Sequence, residues 1–164
     1  MNTKKLALAA VLIAAGVLTG HVIFIPVGVS RCFPVQHAIN VISAVFLGPG
    51  YALLNALSIS LLRNIAGTGT ILAFPGSMFG ALLAAIAFRR THKTIMACAG
   101  EVFGTGIIGG LAAFPVALLL MGKETGALFF VIPFLLSTLG GSFAGYLIVN
   151  ALQARGRRPF GEKR

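Results

Sequence analysis

The chain has 164 residues, of which 57% are hydrophobic and only 10% charged. A soluble domain usually carries about a quarter of its sequence as charges, so this composition excludes an ordinary soluble globule. The net charge of +10 does not point to nucleic acid, because the basic residues stand beside apolar spans and not on an interleaved polar face.

Charge-free stretches run from Leu6 to Ser30, Cys32 to Leu62, Asn64 to Phe88 and Thr125 to Ala154. Each is long enough to cross a bilayer, for which about 20 apolar residues suffice. In lipid the backbone must satisfy its own hydrogen bonds. The 21 glycines suit a helix bundle, and the apolar-polar alternation of a β-barrel is missing. The expected fold is an all-α integral membrane protein of six transmembrane helices, a single domain over residues 1–154 followed by a basic tail over 155–164.

Lys4 and Lys5 precede the first apolar run as in a signal peptide, and Ala14, Ala15 and Gly16 resemble a cleavage site. The run continues through Val22, Ile23 and Phe24, longer than a signal core, so it reads as a retained helix over about 5–24. A loop from Ile25 to Pro34 follows. Gly48-Pro49-Gly50 breaks the next stretch, giving helices over about 35–47 and 51–64. Both are short, near 20 Å at 1.5 Å per residue. A glycine and threonine loop spans Ala66 to Phe74, and Pro75 suits the first turn of a helix over 75–90. After the basic loop Arg89-Arg90-Thr91-His92-Lys93, a helix is expected over 94–121 with a kink at Pro115. Gly122-Lys123-Glu124 turns into the last helix, 125–153.

Lysine and arginine bias sets the orientation. With six spans and the N-terminus inside, Lys4, Lys5, Arg89, Arg90, Lys93, Arg155, Arg157, Arg158, Lys163 and Arg164 are cytoplasmic, and only Arg31, Arg63 and Lys123 face outward. Reading Cys32 to Leu62 as one span would put the Arg89 cluster and the tail outside, so the rule favours the even count and cytoplasmic termini.

No pattern indicates an enzyme. Glu101, Glu124 and Glu162 are the only acidic residues, none at catalytic spacing from a histidine, and no Gly-x-x-x-x-Gly-Lys-Ser/Thr loop is present. Cys32 and Cys98 lie far apart without metal-ligand spacing and read as two unpaired thiols; neither a metal nor a cofactor is implied. Glu101 stands inside a predicted span, where an ionisable group is costly and marks a functional site by default. With Thr105 it forms an i, i+4 polar stripe; its bland alternative is a hydrogen-bonded tie between helices.

The outer loops carry the second set of candidates. Arg31, Gln36, His37 and Asn40 lead into the second helix, and Asn64, Thr68 and Ser77 flank the Ala66–Phe74 loop. Such groups at the outer ends of short helices suit a pocket for a small polar-aromatic solute, or else anchor the interface, with Arg31 and Arg63 snorkelling to headgroups. His37 alone reads as a packing residue before a metal ligand. Small residues form the third pattern. Ala10 and Ala14, with Ala7 on the same face, suit close helix approach or docking of another protein. Gly100 and Gly104, Gly106 and Gly110, and Gly141 and Gly145 are expected to pack the last two helices together.

A six-span chain with an Ala-x-x-x-Ala first helix, a polar first loop and no ATPase motif resembles the S components of energy-coupling-factor (ECF) vitamin transporters. More closely, Ser30-Arg31-Cys32-Phe33-Pro34-Val35-Gln36-His37-Ala38-Ile39-Asn40-Val41, then Phe46-Leu47-Gly48-Pro49-Gly50-Tyr51, and the segment from Leu62-Arg63-Asn64 to Phe74-Pro75-Gly76-Ser77, resemble the thiazole-specific ThiW family. The resemblance implies capture of the thiamine precursor hydroxyethyl-methylthiazole, with a transmembrane coupling protein and two cytoplasmic ATPases as partners in the bilayer. It also implies Ala10 and Ala14 facing the coupling protein, and a substrate near the outer face under the first loop. Phe33 and Phe74 would serve as apolar walls. The chain has no tryptophan, a departure that weighs against a large ring such as riboflavin. Alternatives are an S component for another precursor, such as the thiamine pyrimidine, a self-sufficient proton-coupled carrier using Glu101, and a structural subunit without a ligand.

If the first helix docks a partner, Ala10 or Ala14 replaced by a bulky residue such as tryptophan abolishes uptake in cells while purified protein keeps its substrate affinity. Equal loss of binding in calorimetry would reject docking.

Overall fold

The structure is a computed structural model and describes residues 3–20, 22, 25–27, 30–122 and 126–159, with the side chains of 25–27 and 30–32 left aside. Helix α1 (Thr3–Thr19) begins with the two lysines and ends at Thr19, whose hydroxyl donates to the Ala15 carbonyl at 2.6 Å. It stops short of the expected 24. In place of a plain loop, the chain forms a short antiparallel hairpin, β1 (Ile25–Val27) with β2 (Ser30–Cys32), Pro26 opposite Arg31. The all-α class stands, with this hairpin inside the expected first loop. Pro26 cannot donate a ladder hydrogen bond, which suits a two-stranded hairpin where each strand has a free edge.

Helix α2 (Pro34–Phe46) starts on a proline, whose missing N–H costs nothing in a first turn. Every residue from Gln36 to Phe46 is buried, so this short helix is the hub around which α3, α4 and the last helix pack. Gly48 takes φ 86°, a left-handed backbone that glycine adopts without steric cost, and Pro49 opens α3 (Pro49–Ile65) directly behind it. Helix α4 spans Ala73–Thr91.

The next rod is continuous from Thr94 to Met121 but not uniform. It runs as α5 (Thr94–Glu101), a π-helical segment (Val102–Gly109) and α6 (Gly110–Met121). The ladder is rewound ahead of Pro115, in a stretch holding Gly104, Gly106 and Gly109. The last helix, α7 (Val131–Ala154), begins after turns over 126–130; its expected start at 125, like Lys123 and Glu124, lies outside the described residues. The described residues thus form six helical rods. Two of them, Thr94–Met121 and Val131–Ala154, have the length and hydropathy to cross a bilayer unaided.

The bundle is polar within and apolar without. Its largest fully buried side chains include Arg63, Glu101, Asn40, Asn55, Thr105 and Thr138, while Leu, Ile and Phe cover the outside. Along α7, Ile132, Leu136, Leu139, Phe143 and Leu147 are exposed, and Ser137, Thr138, Gly141, Ser142 and Gly145 face inward. Water would drive the opposite partition. Lipid, as apolar as leucine, leaves helices to associate through small residues and hydrogen bonds.

Glycine sets the closest approach. A Cβ on Gly104 would stand 2.6 Å from the Phe79 carbonyl oxygen and 2.8 Å from the Gly80 Cα; one on Gly109 would stand 2.5 Å from the Gly76 Cα. Helix α4 and the π segment therefore touch backbone to backbone. The glycine pairs do not all join the last two rods as expected. Gly100 and Gly104 meet α4, Gly106 and Gly110 meet Leu135 and Val131 of α7, and Gly141 and Gly145 meet Pro34, Ala38 and Val41 of α2. An alanine-rich apolar core (Ala44, Ala52, Ala56, Ala81, Ala84, Ala97) fills the end holding the α2–α3 turn. There Cys98 is a buried free thiol 3.5 Å from the Ser142 carbonyl oxygen; the Cys32 side chain lies outside the described residues.

Because backbone cannot yield as a side-chain tip can, Gly104→Ala is expected to destabilise the bundle by about 1–3 kcal/mol, read as a lowered thermal midpoint in detergent.

Candidate binding site

At the end where α2, α4 and α7 begin and α3 finishes, the rods enclose a cavity of about 60 Å³. A single water needs about 10–15 Å³ on that measure, so the space takes several waters or a small ring. Phe33, Pro133 and Phe134 give apolar walls; Gln36, His37, Arg63, Ser77, Thr105 and Ser137 give polar ones. The entrance residue Phe33 is fixed by its backbone N–H, which donates to Ser137 Oγ at 2.9 Å.

One side of the cavity is a directional hydrogen-bond chain. Arg63 Nη1 donates to Gln36 Oε1 at 2.7 Å, which orients the amide so that Gln36 Nε2 donates to Ser60 Oγ at 2.9 Å. Ser77 Oγ donates to the Ala73 carbonyl at 2.8 Å, so Ser60 is the donor in the 2.9 Å contact with Ser77. Arg63 is buried and, among the described residues, has no carboxylate beside it. Its charge is met by Gln36, by the Thr68 carbonyl at 3.0 Å and the Gly20 carbonyl at 3.3 Å, and by the Phe33 ring 3.9 Å beneath the guanidinium.

The other side rests on Glu101, which is fully buried. Its Oε1 accepts from Asn40 Nδ2 at 3.0 Å and lies 2.9 Å from both His37 Nδ1 and Thr105 Oγ1. Asn40 Nδ2 also donates to the Ser77 carbonyl at 3.2 Å, and Thr105 Oγ1 lies 3.1 Å from the Gly76 carbonyl. Glu101 closes α5 and Thr105 sits in the π segment, so the rewound turn is where the two side chains meet. Gly80 leaves them room, since a Cβ there would overlap Thr105 Oγ1 and fall 2.6 Å from Glu101 Oε2.

The sequence candidates therefore separate by position. Gln36, His37, Ser77 and Thr105 line the cavity; Asn40 and Glu101 stand behind it. Asn64 turns away, its amide donating to the Ser60 and Thr70 carbonyls, and Thr68 contributes its carbonyl to Arg63. The side chain of Arg31 lies outside the described residues. Phe74 does not line the cavity; Phe134 takes that role. Ser60, Arg63 and Ser137 were not among the binding candidates. Ser60 and Arg63 stand three apart on α3, one helical face, a spacing that marks them; Ser137 is signalled only as a serine in a run of leucines. On α1, Ala7, Ala10 and Ala14 are exposed while Ala9 and Gly16 turn inward.

Among the described residues no group of three or more His, Cys, Asp or Glu side chains converges to hold a metal ion. A lipid-compatible helical bundle enclosing a small hydrogen-bonding cavity has the make-up of a membrane transport protein. The family model of the thiamine-precursor transporter protein ThiW matches residues 6–155, and the chain belongs to that family. It is a family of transporters and not of enzymes, which places the chain in a membrane with a small molecule as its cargo. Neither the curated proteins nor the solved structures contain a match to the chain.

Lysine carries its charge at one point and cannot span three acceptors as a guanidinium does. Arg63→Lys is expected to cost about 1–3 kcal/mol of stability, measured by thermal unfolding, with little change at the far, alanine-rich end in hydrogen exchange.

Proposed function

We propose that the chain is the substrate-capturing S subunit of an ECF-type transporter, taking hydroxyethyl-methylthiazole into the cavity between Phe33, Phe134 and His37. The observation that carries this reading is the balance of the cavity: apolar walls around a few fixed hydrogen-bonding groups, as a small neutral heteroaromatic alcohol requires. Among the described residues Arg63 is the one cation at the cavity, and it is already committed to three protein oxygens and an aromatic face.

The single domain spans the bilayer six times with both termini cytoplasmic. Lys5, Arg89 and His92 gather around a second cavity with the Gly48-Pro49 turn, at the end away from the thiazole cavity, in keeping with basic residues inside and capture outside. The residues proposed to bind are Gln36, His37, Ser77 and Thr105 at the cavity, supported by Asn40 and Glu101. The exposed Ala7, Ala10 and Ala14 face supports docking to a transmembrane coupling protein, with cytoplasmic ATPases supplying the energy. The buried His37–Glu101 pair favours one rival, a proton-coupled carrier. Glu101→Gln separates the two, since a carrier loses pH-driven transport and an S subunit changes only in binding.

Calorimetry on the purified protein should show tight binding of hydroxyethyl-methylthiazole and none of the pyrimidine precursor, thiamine or riboflavin. Binding of the pyrimidine alone would reassign the substrate, and binding of none would reject capture of thiamine precursors.

A further inference from the structure

The hydrogen bonds behind the cavity fix which nitrogen of His37 carries the proton. The Ser77 carbonyl, 3.2 Å from Asn40 Nδ2, accepts only from an N–H, so it sets the orientation of the Asn40 amide. The same nitrogen is then a donor to Glu101 Oε1. Thr105 Oγ1 lies 2.9 Å from that oxygen and 3.1 Å from the Gly76 carbonyl, and its one proton serves one of the two. A carboxyl proton on Oε2 would have no acceptor among the described residues, and a proton shared between Oε1 and Nδ1 rests on the imidazole nitrogen, the more basic of the two. Oε1 is thus an acceptor, and His37 Nδ1, 2.9 Å away, donates to it. In a neutral imidazole the other nitrogen then has a bare lone pair. Nε2 is not among the enclosed, unpartnered polar atoms, and His37 lines the cavity.

We infer that His37 Nε2 is the acceptor for a hydroxyl of the bound ligand, and that Glu101 is a positioning residue that holds His37 in this orientation and tautomer. The inference rests on the thiazole reading above and deepens it. The site takes the free alcohol: the hydroxyl donates to Nε2, while an ether or a phosphate ester brings only acceptor oxygens to a lone pair. Asn40, Thr105 and the missing side chain of Gly80 complete the device, since each keeps Oε1 where Nδ1 can reach it. Recognition of a hydroxyl by a group that is otherwise unpaired discriminates strongly, because the analogue lacking it leaves that group without a partner.

The first arm of the test compares hydroxyethyl-methylthiazole with its ethyl analogue, its methyl ether and its phosphate ester by calorimetry on the intact protein. The three analogues are expected to bind roughly ten- to a hundredfold more weakly than the alcohol. Alcohol and ethyl analogue binding equally, or the phosphate ester binding best, would overturn the inference while leaving thiazole capture in place. Failure of every thiazole to bind would overturn that reading and this inference together. The second arm is ¹⁵N NMR of protein labelled in its histidine rings, with the His37 signals identified by their loss in His37→Asn. A protonated Nδ1 and a bare Nε2 are expected, and a proton on Nε2 would overturn the assignment without any ligand. In Glu101→Leu the acceptor for Nδ1 is gone. The preference for alcohol over ethyl analogue should collapse; a preserved preference would remove Glu101 from the device.

Discussion

A carboxylate inside a lipid-facing bundle has to find its hydrogen bonds within the protein, and the arrangement around Glu101 follows from that constraint. Its Oε1 collects donors from α2 (His37, Asn40) and from the π segment (Thr105). Desolvating a carboxyl without such partners is among the largest single costs a chain can meet. The partners in turn dictate the backbone. Asn40 reaches both Glu101 and the Ser77 carbonyl only if α2 and α4 lie close, and Thr105 reaches Glu101 and approaches Gly76 only if α4 lies against the π segment. Gly76, Gly80, Gly104 and Gly109 permit that approach. Glu101 and Thr105, four apart, would share a face of an ordinary α-helix, and the π segment begins between them, a kind of turn frequent at functional sites.

The molecule divides its tasks along its length. The end with the α2–α3 turn is packed with alanine and a few larger apolar side chains, where close contact and dispersion are the main gains available in lipid. The opposite end is polar and built from the starts of α2, α4 and α7. Helix α2 runs through both, apolar at Val41, Ala44 and Val45 and polar at Gln36, His37 and Asn40. A helix buried on all sides cannot turn its polar residues to water, so each one on α2 must have a partner, and Gln36, His37 and Asn40 each do.

Much of this was legible in the sequence because some residues carry their own meaning. A glutamate in an apolar run marks itself by its cost, Gly48-Pro49 can only be a break, and Gln36, His37 and Asn40 share a face by spacing. What was not legible depended on partners far along the chain. Arg63 read equally well as an interfacial anchor, and only the convergence of Gly20, Gln36 and Thr68 makes it an interior tie. Glycine pairs look alike in sequence, yet the three pairs serve three interfaces according to which helix lies opposite. The hairpin after α1 lacks an alternating pattern long enough to announce strands, and the late start of α7 follows turns that composition does not distinguish from helix.

Arg63 also links the cavity to the helix proposed to dock the partner. Its guanidinium joins Gln36 in the cavity wall to the Gly20 carbonyl just beyond α1, and it lies on Phe33 at the exit of the hairpin. Its Nε is enclosed without a partner, and a Cβ on Gly20 would come within 2.5 Å of it. A cation held by neutral oxygens is more weakly bound than one held by a carboxylate, so this tie can be remade at lower cost than an ion pair. Arg63 is thus the side chain through which the cavity wall and the end of α1 meet.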